Sequence, residues 1–172
     1  ASDWSRDGKY LSYSRQLPDA ATRQIFALPL EGERKPLLAV QRGASGSLSP
    51  NGHWLAYQSN ESGRAEVYVV AFGGGQGKWQ VSANGGTRPR WSRDGKELYF
   101  MDSAFSIFSV AVSDTGGALQ FGAPQMLVSN WSSPQAFYDI APDGKRILLD
   151  RVSQDVSQSV NVVTNFTAGL KK

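Results

Sequence analysis

The chain has 172 residues, with 18 Lys or Arg against 15 Asp or Glu, so its formal net charge is only +3. Apolar residues make up 40% of the sequence and charged residues 19%, which supplies enough core material to exclude global disorder. The absence of cysteine excludes disulfides and thiolate metal sites, and no apolar run approaches the roughly 18 residues of a membrane-spanning helix.

Four segments of the sequence align without gaps and define an internal repeat. Each has a large apolar residue, a Ser or Ala, one further residue, an Asp-Gly or Asn-Gly pair, and then an alternating apolar stretch. The pairs are Asp7-Gly8, Asn51-Gly52, Asp94-Gly95 and Asp143-Gly144, so successive glycines are 44, 43 and 49 residues apart. A period in the forties is typical of a four-stranded propeller blade and exceeds the period of about 34 in helical repeats.

Each repeat is expected to begin with a hairpin whose turn is the Asp-Gly or Asn-Gly pair, because both residues tolerate a positive φ. The alternation after the turn predicts a half-buried strand. A third strand is expected at 25–28, 67–70, 107–110 and 160–163, and a fourth at 36–40, 79–82 and 124–128. No segment has helical periodicity, so the sequence predicts an all-β chain of four-stranded antiparallel sheets.

The repeats predict a single β-propeller region, 1–172, with blades at about 1–44, 45–86, 87–135 and 136–172. The last blade is expected to lack its outer strand, because few residues follow its third strand. Only three residues precede the first large apolar residue, Trp4. We therefore expect the chain to be a fragment of a larger propeller.

The Ser-Pro-Asp-Gly-type turn, followed by a Tyr or Phe strand and an Ile-Tyr-type strand, resembles the repeats of TolB-like (WD-like) β-propellers. Here the four copies read Ser-Arg-Asp-Gly twice, Ser-Pro-Asn-Gly and Ala-Pro-Asp-Gly. The segments 138–146 and 165–172 look like the C-terminal part of propellers in large bacterial proteins, many of which carry an N-terminal serine/threonine kinase. The resemblance implies a non-catalytic module for protein interaction or ligand sensing, and it favours a periplasmic or other extracytoplasmic location.

Propellers of this type also gate serine peptidases of the prolyl oligopeptidase kind, and this is the alternative function. A nucleophile elbow needs Gly-x-Ser-x-Gly, whereas residues 43–47 read Gly-Ala-Ser-Gly-Ser. The single histidine, His53, occupies the repeat position that Lys9, Lys96 and Lys145 hold in the other copies, which indicates an exposed strand start. We therefore predict no catalytic residue in this chain, and a peptidase domain would lie outside it.

Two further segments resemble known binding motifs in their sequence. The loop 73–78 reads Gly-Gly-Gly-Gln-Gly-Lys, but it lacks the first glycine and the Ser or Thr of a phosphate-binding loop. The segment 88–96 mixes basic and aromatic residues as nucleic-acid-binding segments do, yet Trp91 falls on a core position of the repeat. Aspartates are scattered without the spacing of a calcium loop. We predict no cofactor, no metal and no nucleic-acid partner.

Trp131 lies in the segment 130–134 that joins the third and fourth repeats, where the repeat demands no large apolar residue. It is a candidate contact residue for a partner, and the alternative is a side chain that folds back onto the blade. We expect a protein partner or a small ligand at the propeller loops and no membrane contact. We also expect self-association through open blade edges, with two copies closing an eight-bladed ring.

Overall fold

The computed structural model describes residues 2–18, 22–73, 75–116, 118–129, 137–151 and 159–164. These ranges contain strands and turns but no helix, and hence none that could span a membrane. The strands are β1 (Asp3–Trp4), β2 (Tyr10–Gln16), β3 (Arg23–Pro29), β4 (Leu37–Val40), β5 (Ala44–Leu48), β6 (Trp54–Ser59), β7 (Glu66–Ala71), β8 (Lys78–Gln80), β9 (Thr87–Trp91), β10 (Glu97–Met101), β11 (Ile107–Asp114), β12 (Leu119–Phe121), β13 (Gln125–Val128), β14 (Tyr138–Ile140), β15 (Arg146–Arg151) and β16 (Ser159–Thr164).

The strands form four separate antiparallel sheets in chain order. The first sheet has the order β1-β2-β3-β4, and the second has the order β5-β6-β7-β8. In the third sheet β9 pairs with β10 and β10 with β11, while β11 pairs with both β12 and β13. Within the described residues the fourth sheet is β14-β15-β16. The prediction of an all-β chain with four-stranded antiparallel sheets is confirmed.

Strand β12 was not predicted. It pairs with the second half of β11, from Val112 to Asp114, whereas β13 pairs with the first half, from Ile107 to Ser109. The residues that lengthen the third glycine spacing to 49 thus add a short strand to the long β11 instead of a plain loop. The sequence 119–121 is too short to show an alternating pattern, so no periodic signal marks it.

The core consists of apolar layers between neighbouring sheets. Side chains of the second and third sheets form one cluster, which includes Trp54, Trp91 and Leu98. Neighbouring clusters join the first sheet to the second and the third to the fourth, and they contain Ile25 and Tyr99 respectively. The sheets therefore stack face to face in chain order, as propeller blades do.

Strand β10 shows a difference from the predicted half-buried strands. Leu98 and Phe100 pack into the layer shared with the second sheet, while Tyr99 and Met101 pack into the layer shared with the fourth. All four side chains are buried, because the third sheet is covered on both faces. The alternate side chains of β10 therefore pack against two different neighbouring sheets, and neither face of the strand is exposed to solvent.

Hydrogen bonds from side chains join each sheet to the next. Ser12 Oγ, in the first sheet, donates to the carbonyl of Gly46 in the second at 2.9 Å. The indole nitrogen of Trp91, in the third sheet, donates to the carbonyl of Ser47 at 3.1 Å. The Tyr138 hydroxyl, in the fourth sheet, donates to the carbonyl of Arg88 at 2.7 Å, and burial raises the pKa of this phenol.

The predicted glycine turns differ in detail from a two-residue hairpin. Gly8, Gly52, Gly95 and Gly144 have φ values of 75°, 72°, 73° and 66°. The preceding Asp or Asn residues do not have positive φ, so only the glycine of each pair uses the left-handed conformation. Instead, the amide of each glycine donates to the carbonyl three residues earlier, which closes a four-residue loop.

The serine of the repeat explains why this longer loop is stable. In the second sheet, Ser49 Oγ donates to Asn51 Oδ1 at 2.7 Å and accepts a hydrogen bond from the buried Trp54 amide at 2.9 Å. Asn51 Oδ1 also accepts from the His53 amide at 3.1 Å. The Ser and the Asp or Asn side chains therefore satisfy backbone donors that the hairpin ladder leaves unpaired.

We expect Ser49→Ala to lower the free energy of unfolding by about 1–3 kcal/mol, because the buried Trp54 amide loses its acceptor. The fourth repeat carries Ala141 at the equivalent position, so Ala141→Ser is the reciprocal variant and should raise stability by about 0.5–1.5 kcal/mol. Urea unfolding followed by tryptophan fluorescence measures both changes. Equal stability of the Ser49→Ala variant and the parent would show that the serine contributes no net stabilisation to the turn.

The turn carboxylates make stability depend on acid pH. Hydrogen bonds from the neighbouring serine hydroxyl and then from the lysine amide hold the pKa of Asp7 and Asp94 below the ordinary value of 3.8. For Asp143 the Lys145 amide is the first cause of the lowered pKa. Because the folded-state pKa is the lower one, these groups stabilise the fold above pH 3.8 and lose that contribution as the pH falls through the lowered values. Urea unfolding at pH 7 and pH 3 should show a smaller acid-induced loss in Asp94→Asn than in the parent, and an equal loss would contradict this assignment.

A buried carboxylate lies at the start of β7. Glu66 has no solvent exposure, and its Oε1 lies 2.6 Å from Arg64 Nε. The Ser82 hydroxyl donates to Oε2, and the Gly85 amide donates to Oε1 at 3.0 Å and to Oε2 at 3.2 Å. Arg64 also donates to the carbonyl of Ala83. One side chain thus anchors the connection from β8 to β9, that is, from the second sheet to the third.

Candidate functional site

A cavity of about 300 Å³ lies where the innermost strands of the four sheets meet. Strands β1, β5, β9 and β14 each contribute the residue that precedes the large apolar residue of the repeat. These residues are Asp3, Ser47, Arg90 and Asp139. The repeat therefore places chemically different side chains at one equivalent position around a shared space, which we call the axial cavity.

Asp3 connects the cavity wall of the first sheet to that of the second. Its Oδ1 accepts a hydrogen bond from the Trp4 amide at 2.9 Å. Its Oδ2 accepts from the Leu48 amide at 2.9 Å and from the Ser47 hydroxyl at 3.0 Å. Several donors on one carboxylate fix its position, so this side of the cavity is preorganised.

Asp139 repeats half of this arrangement in the fourth sheet. Its Oδ1 accepts from the Ile140 amide at 2.9 Å, as Asp3 Oδ1 does from Trp4. Arg90 lies on β9 and donates from Nη1 to the carbonyl of Pro89 at 3.1 Å. Arg6 also lines the cavity. Two carboxylates and two guanidinium groups thus surround the space, which suits a polar ligand that carries charges of both signs.

The residues considered for catalysis do not come together. His53 is exposed and lies between the Asn51-Gly52 turn and β6, where its carbonyl accepts from the Phe72 amide at 2.8 Å. Ser45 lies inside the strand β5, so it is not at a strand-to-helix turn. In the described part of the chain no group of three or more His, Asp or Glu side chains is arranged to hold a metal ion.

The two segments whose sequences resemble binding motifs contribute to the strands and connections of the sheets. The described residues 72–73 and 75–77 lie between β7 and β8, and Lys78 forms an ion pair with Glu61. Trp91 is buried, with 7% of its surface exposed. The Arg88 guanidinium lies 4.5 Å from the ring centroid of Phe137, whose surface is 62% exposed. Trp131, the candidate contact residue, lies outside the described residues.

Sequence reasoning singled out the turn residues and missed the axial cavity. The signal was present, because the position before the large apolar residue reads Asp, Ser, Arg and Asp in the four repeats. An inner strand whose alternate positions are charged indicates a polar space on that side of the strand. The buried Glu66 was also missed, since it begins the otherwise apolar strand β7.

Comparison with solved structures shows the fold. TolB from Acinetobacter baumannii matches with a TM-score of 0.67 and 17% identity over 96% of this chain and 40% of that protein. Hydrazine synthase from Kuenenia stuttgartiensis matches with a TM-score of 0.61 and 14% identity, over 94% of this chain and 57% of that one. The β-propeller domain of the Trilobed protease from Pyrococcus furiosus, described as having an open velcro topology, matches at 0.51 and 13%, over 94% and 66%.

The sequence comparisons give no match, either to a protein-family model or to a curated protein. The chain spans about two fifths of TolB and somewhat more than half of the hydrazine synthase chain. At sequence identities of 13–17%, these matches show a shared fold alone. Sheet order, stacked cores and these structural matches agree, and the chain has a partial β-propeller fold of the TolB-like type.

Proposed function

We propose that this chain is a non-catalytic binding module within a larger propeller protein, and that its ligand occupies the axial cavity. The observation that supports this proposal is the cavity itself, in which one repeat position supplies Asp3, Arg90 and Asp139 to a common space. The ligand is a small polar molecule, or a segment of a protein partner, that bears both an ammonium and a carboxylate group. Binding at such a site requires complementary shape and charge and no bond-making residue.

The larger protein that we propose is bacterial, with a serine/threonine kinase domain N-terminal to the propeller and the propeller outside the cytoplasm. The resemblance of the repeats to kinase-linked propellers supports this arrangement. The alternative is a gating propeller of a serine peptidase, and the likeness to the propeller domain of the Trilobed protease favours it. The reading frame of the parent gene separates the two, because a kinase sequence upstream supports the first and a hydrolase sequence supports the second.

A panel of free amino acids and dipeptides tests the cavity proposal by NMR titration of the isotopically labelled chain. We expect saturable shifts of the amides of Asp3, Ser47, Arg90 and Asp139. Arg90→Gln and Asp139→Asn should each weaken binding about tenfold or more. Arg15→Gln, which removes an exposed arginine outside the cavity, should leave binding unchanged. Shifts confined to other surfaces, or equal affinity in all variants, would contradict the proposal.

We also propose that the chain associates with a second copy through the exposed faces of its first and fourth sheets. Trp4 and Trp91 occupy the same repeat position, yet 61% of the Trp4 surface is exposed against 7% for Trp91. Trp91 is buried because it packs against the preceding sheet, where its indole nitrogen also donates a hydrogen bond to the Ser47 carbonyl. Asp139 of the fourth sheet occupies the repeat position of Ser47, so its carbonyl is the equivalent acceptor for the Trp4 indole of a second copy.

Sedimentation or light scattering at micromolar concentrations tests this association. We expect a two-fold dimer, and we expect Trp4→Ala to shift the chain toward the monomer. Leu37→Ala, which truncates an exposed apolar residue on the outer strand β4, is the matched control and should leave the dimer intact. A stable monomer of the parent chain at these concentrations would contradict the proposal and would leave the axial cavity as a separate question.

A further inference from the structure

A second cleft lies between the first and second sheets, at the ends of the strands opposite to the glycine turns. Its volume is about 460 Å³. It begins where β2 and β6 end and where β3 and β5 start. The side chains that define it are polar or charged, and they are Gln16, Thr22, Arg23, Arg42, Gln58 and Asn60. We call this space the arginine cleft.

The backbone holds the two arginines of the cleft close together. The Gly43 amide donates to the carbonyl of Arg23 at 2.8 Å, so the residue after Arg42 is bonded directly to Arg23. A Cβ on Gly43 would lie 2.6 Å from Tyr57 Cδ2, so the backbone at Gly43 passes close to the Tyr57 ring and leaves no room for a side chain. Gln24 Nε2 also donates to Gln41 Oε1 at 3.1 Å. These contacts hold the backbone at the base of the cleft in place, and with it the Cα positions of both arginines.

Two amide side chains orient the donors. Arg23 donates from Nε to Gln16 Oε1 at 2.7 Å, which holds its guanidinium plane and leaves its two terminal nitrogens for another acceptor. Gln58 Oε1 accepts from the Arg88 amide at 3.0 Å, so the remaining group of that side chain is its NH₂ donor. The Arg23 terminal nitrogens and the Gln58 NH₂ group are therefore the donors that these two contacts leave for a ligand.

The charge of the cleft is positive. Glu61 is the one carboxylate among the described lining residues, and it is ion-paired with Lys78. Arg42 forms no ion pair with any residue that the structure describes. Among the residues that the structure describes, no carboxylate is ion-paired with either guanidinium group. Their planar, forked donors match the paired oxygens of carboxylate and phosphate groups.

We propose that the arginine cleft binds a small oxyanion, a carboxylate or phosphate group on a polar ligand, with Arg23 and Arg42 as the anion-binding residues. The volume exceeds what a single phosphate ion requires, so the amide and hydroxyl groups of the cleft contact the polar body that carries the anion. This site lies between two neighbouring sheets and is separate from the axial cavity, with which it shares no lining residue.

NMR titration of the labelled 172-residue chain with inorganic phosphate and with citrate tests the site. We expect saturable shifts of the Arg23 and Gly43 amides with both anions, and none with the neutral polyol sorbitol. The affinity should fall as the salt concentration rises, because both arginines reach solvent. Arg23→Gln and Arg42→Gln should each weaken binding about tenfold or more. Arg42→Lys, which keeps the charge but loses the forked geometry, should weaken it less.

Arg93→Gln is the matched control. It removes an exposed arginine at the opposite ends of the strands, next to the Asp94-Gly95 turn, and should leave anion affinity unchanged. Thermal unfolding of every variant separates loss of binding from loss of the fold. An equal loss of affinity in Arg93→Gln would mean that the anions respond to net charge alone and would overturn the proposal. Absence of saturable shifts, or parent-like affinity in both Arg23→Gln and Arg42→Gln, would overturn it as well.

Discussion

Replacement of Glu66 by Ala should lower the free energy of unfolding by about 3 kcal/mol or more. Removal of a buried acceptor leaves each of its hydrogen-bond donors unsatisfied, which typically costs about 1–3 kcal/mol per group and more for charged groups. Here the Gly85 amide and the Ser82 hydroxyl lose their acceptor. Arg64 is 58% exposed in its side chain and can turn to water, which places the expected value toward the lower end.

Urea unfolding at neutral pH measures this loss of stability, and two further variants provide values to compare it with. Glu66→Gln keeps one acceptor oxygen and should lose less stability than Glu66→Ala. Glu33→Ala breaks the exposed ion pair with Lys35, whose side chains are both nearly 80% exposed, and should change stability by no more than about 0.5 kcal/mol. A Glu66→Ala variant as stable as Glu33→Ala would show that the connection from β8 to β9 is held by other contacts.

Replacement of Trp91 by Ala should lower the free energy of unfolding by about 3–5 kcal/mol. Truncation of a buried aromatic side chain leaves a cavity that the surrounding structure fills only in part. Trp91 packs with Trp54, Val67 and Leu98 between the second and third sheets, and its indole also donates to Ser47. The variant therefore loses apolar burial and a hydrogen bond between sheets at once.

Trp4→Ala is the matched control, because it removes the same side chain at the same repeat position. Trp4 is 61% exposed, so its loss should cost less than about 1 kcal/mol in a chain diluted below the concentration of self-association. Denaturant unfolding of both variants under those conditions gives the difference directly. Similar costs for the two substitutions would mean that burial between sheets is not what stabilises this repeat position.

The repeat made the architecture predictable from the sequence. Four glycines at turn positions and alternating apolar residues behind them specify hairpins, and hairpins at a period in the forties specify blades. The detail of the turn was less accessible, because a short Asp-Gly pair fits both a two-residue and a four-residue loop. The serine two positions earlier does not decide between them, because the fourth repeat closes the same loop with Ala141. Where the serine is present it stabilises the loop, since its hydroxyl accepts a hydrogen bond from a backbone amide, that of Tyr10 in the first repeat.

Features that depend on contacts between repeats were not predictable in this way. Glu66 accepts hydrogen bonds from Ser82 and Gly85, and no local sequence pattern in β7 predicts these partners. The arginine cleft likewise requires the end of one blade to lie beside the start of the next. Strand β10 has an alternating sequence whether one or both of its faces are buried, so burial on the second face emerges only when the sheets stack.

The side-chain hydrogen bonds between sheets have a mechanical consequence. Each of those from Ser12, Trp91 and Tyr138 joins one sheet to the adjacent one, as in a linear array of modules. A stretching force applied at the two termini would therefore load the interfaces in series, and the weakest would yield first. Each blade of 44 or so residues would then extend the molecule by roughly 150 Å. Tension would be relieved in steps, one module at a time.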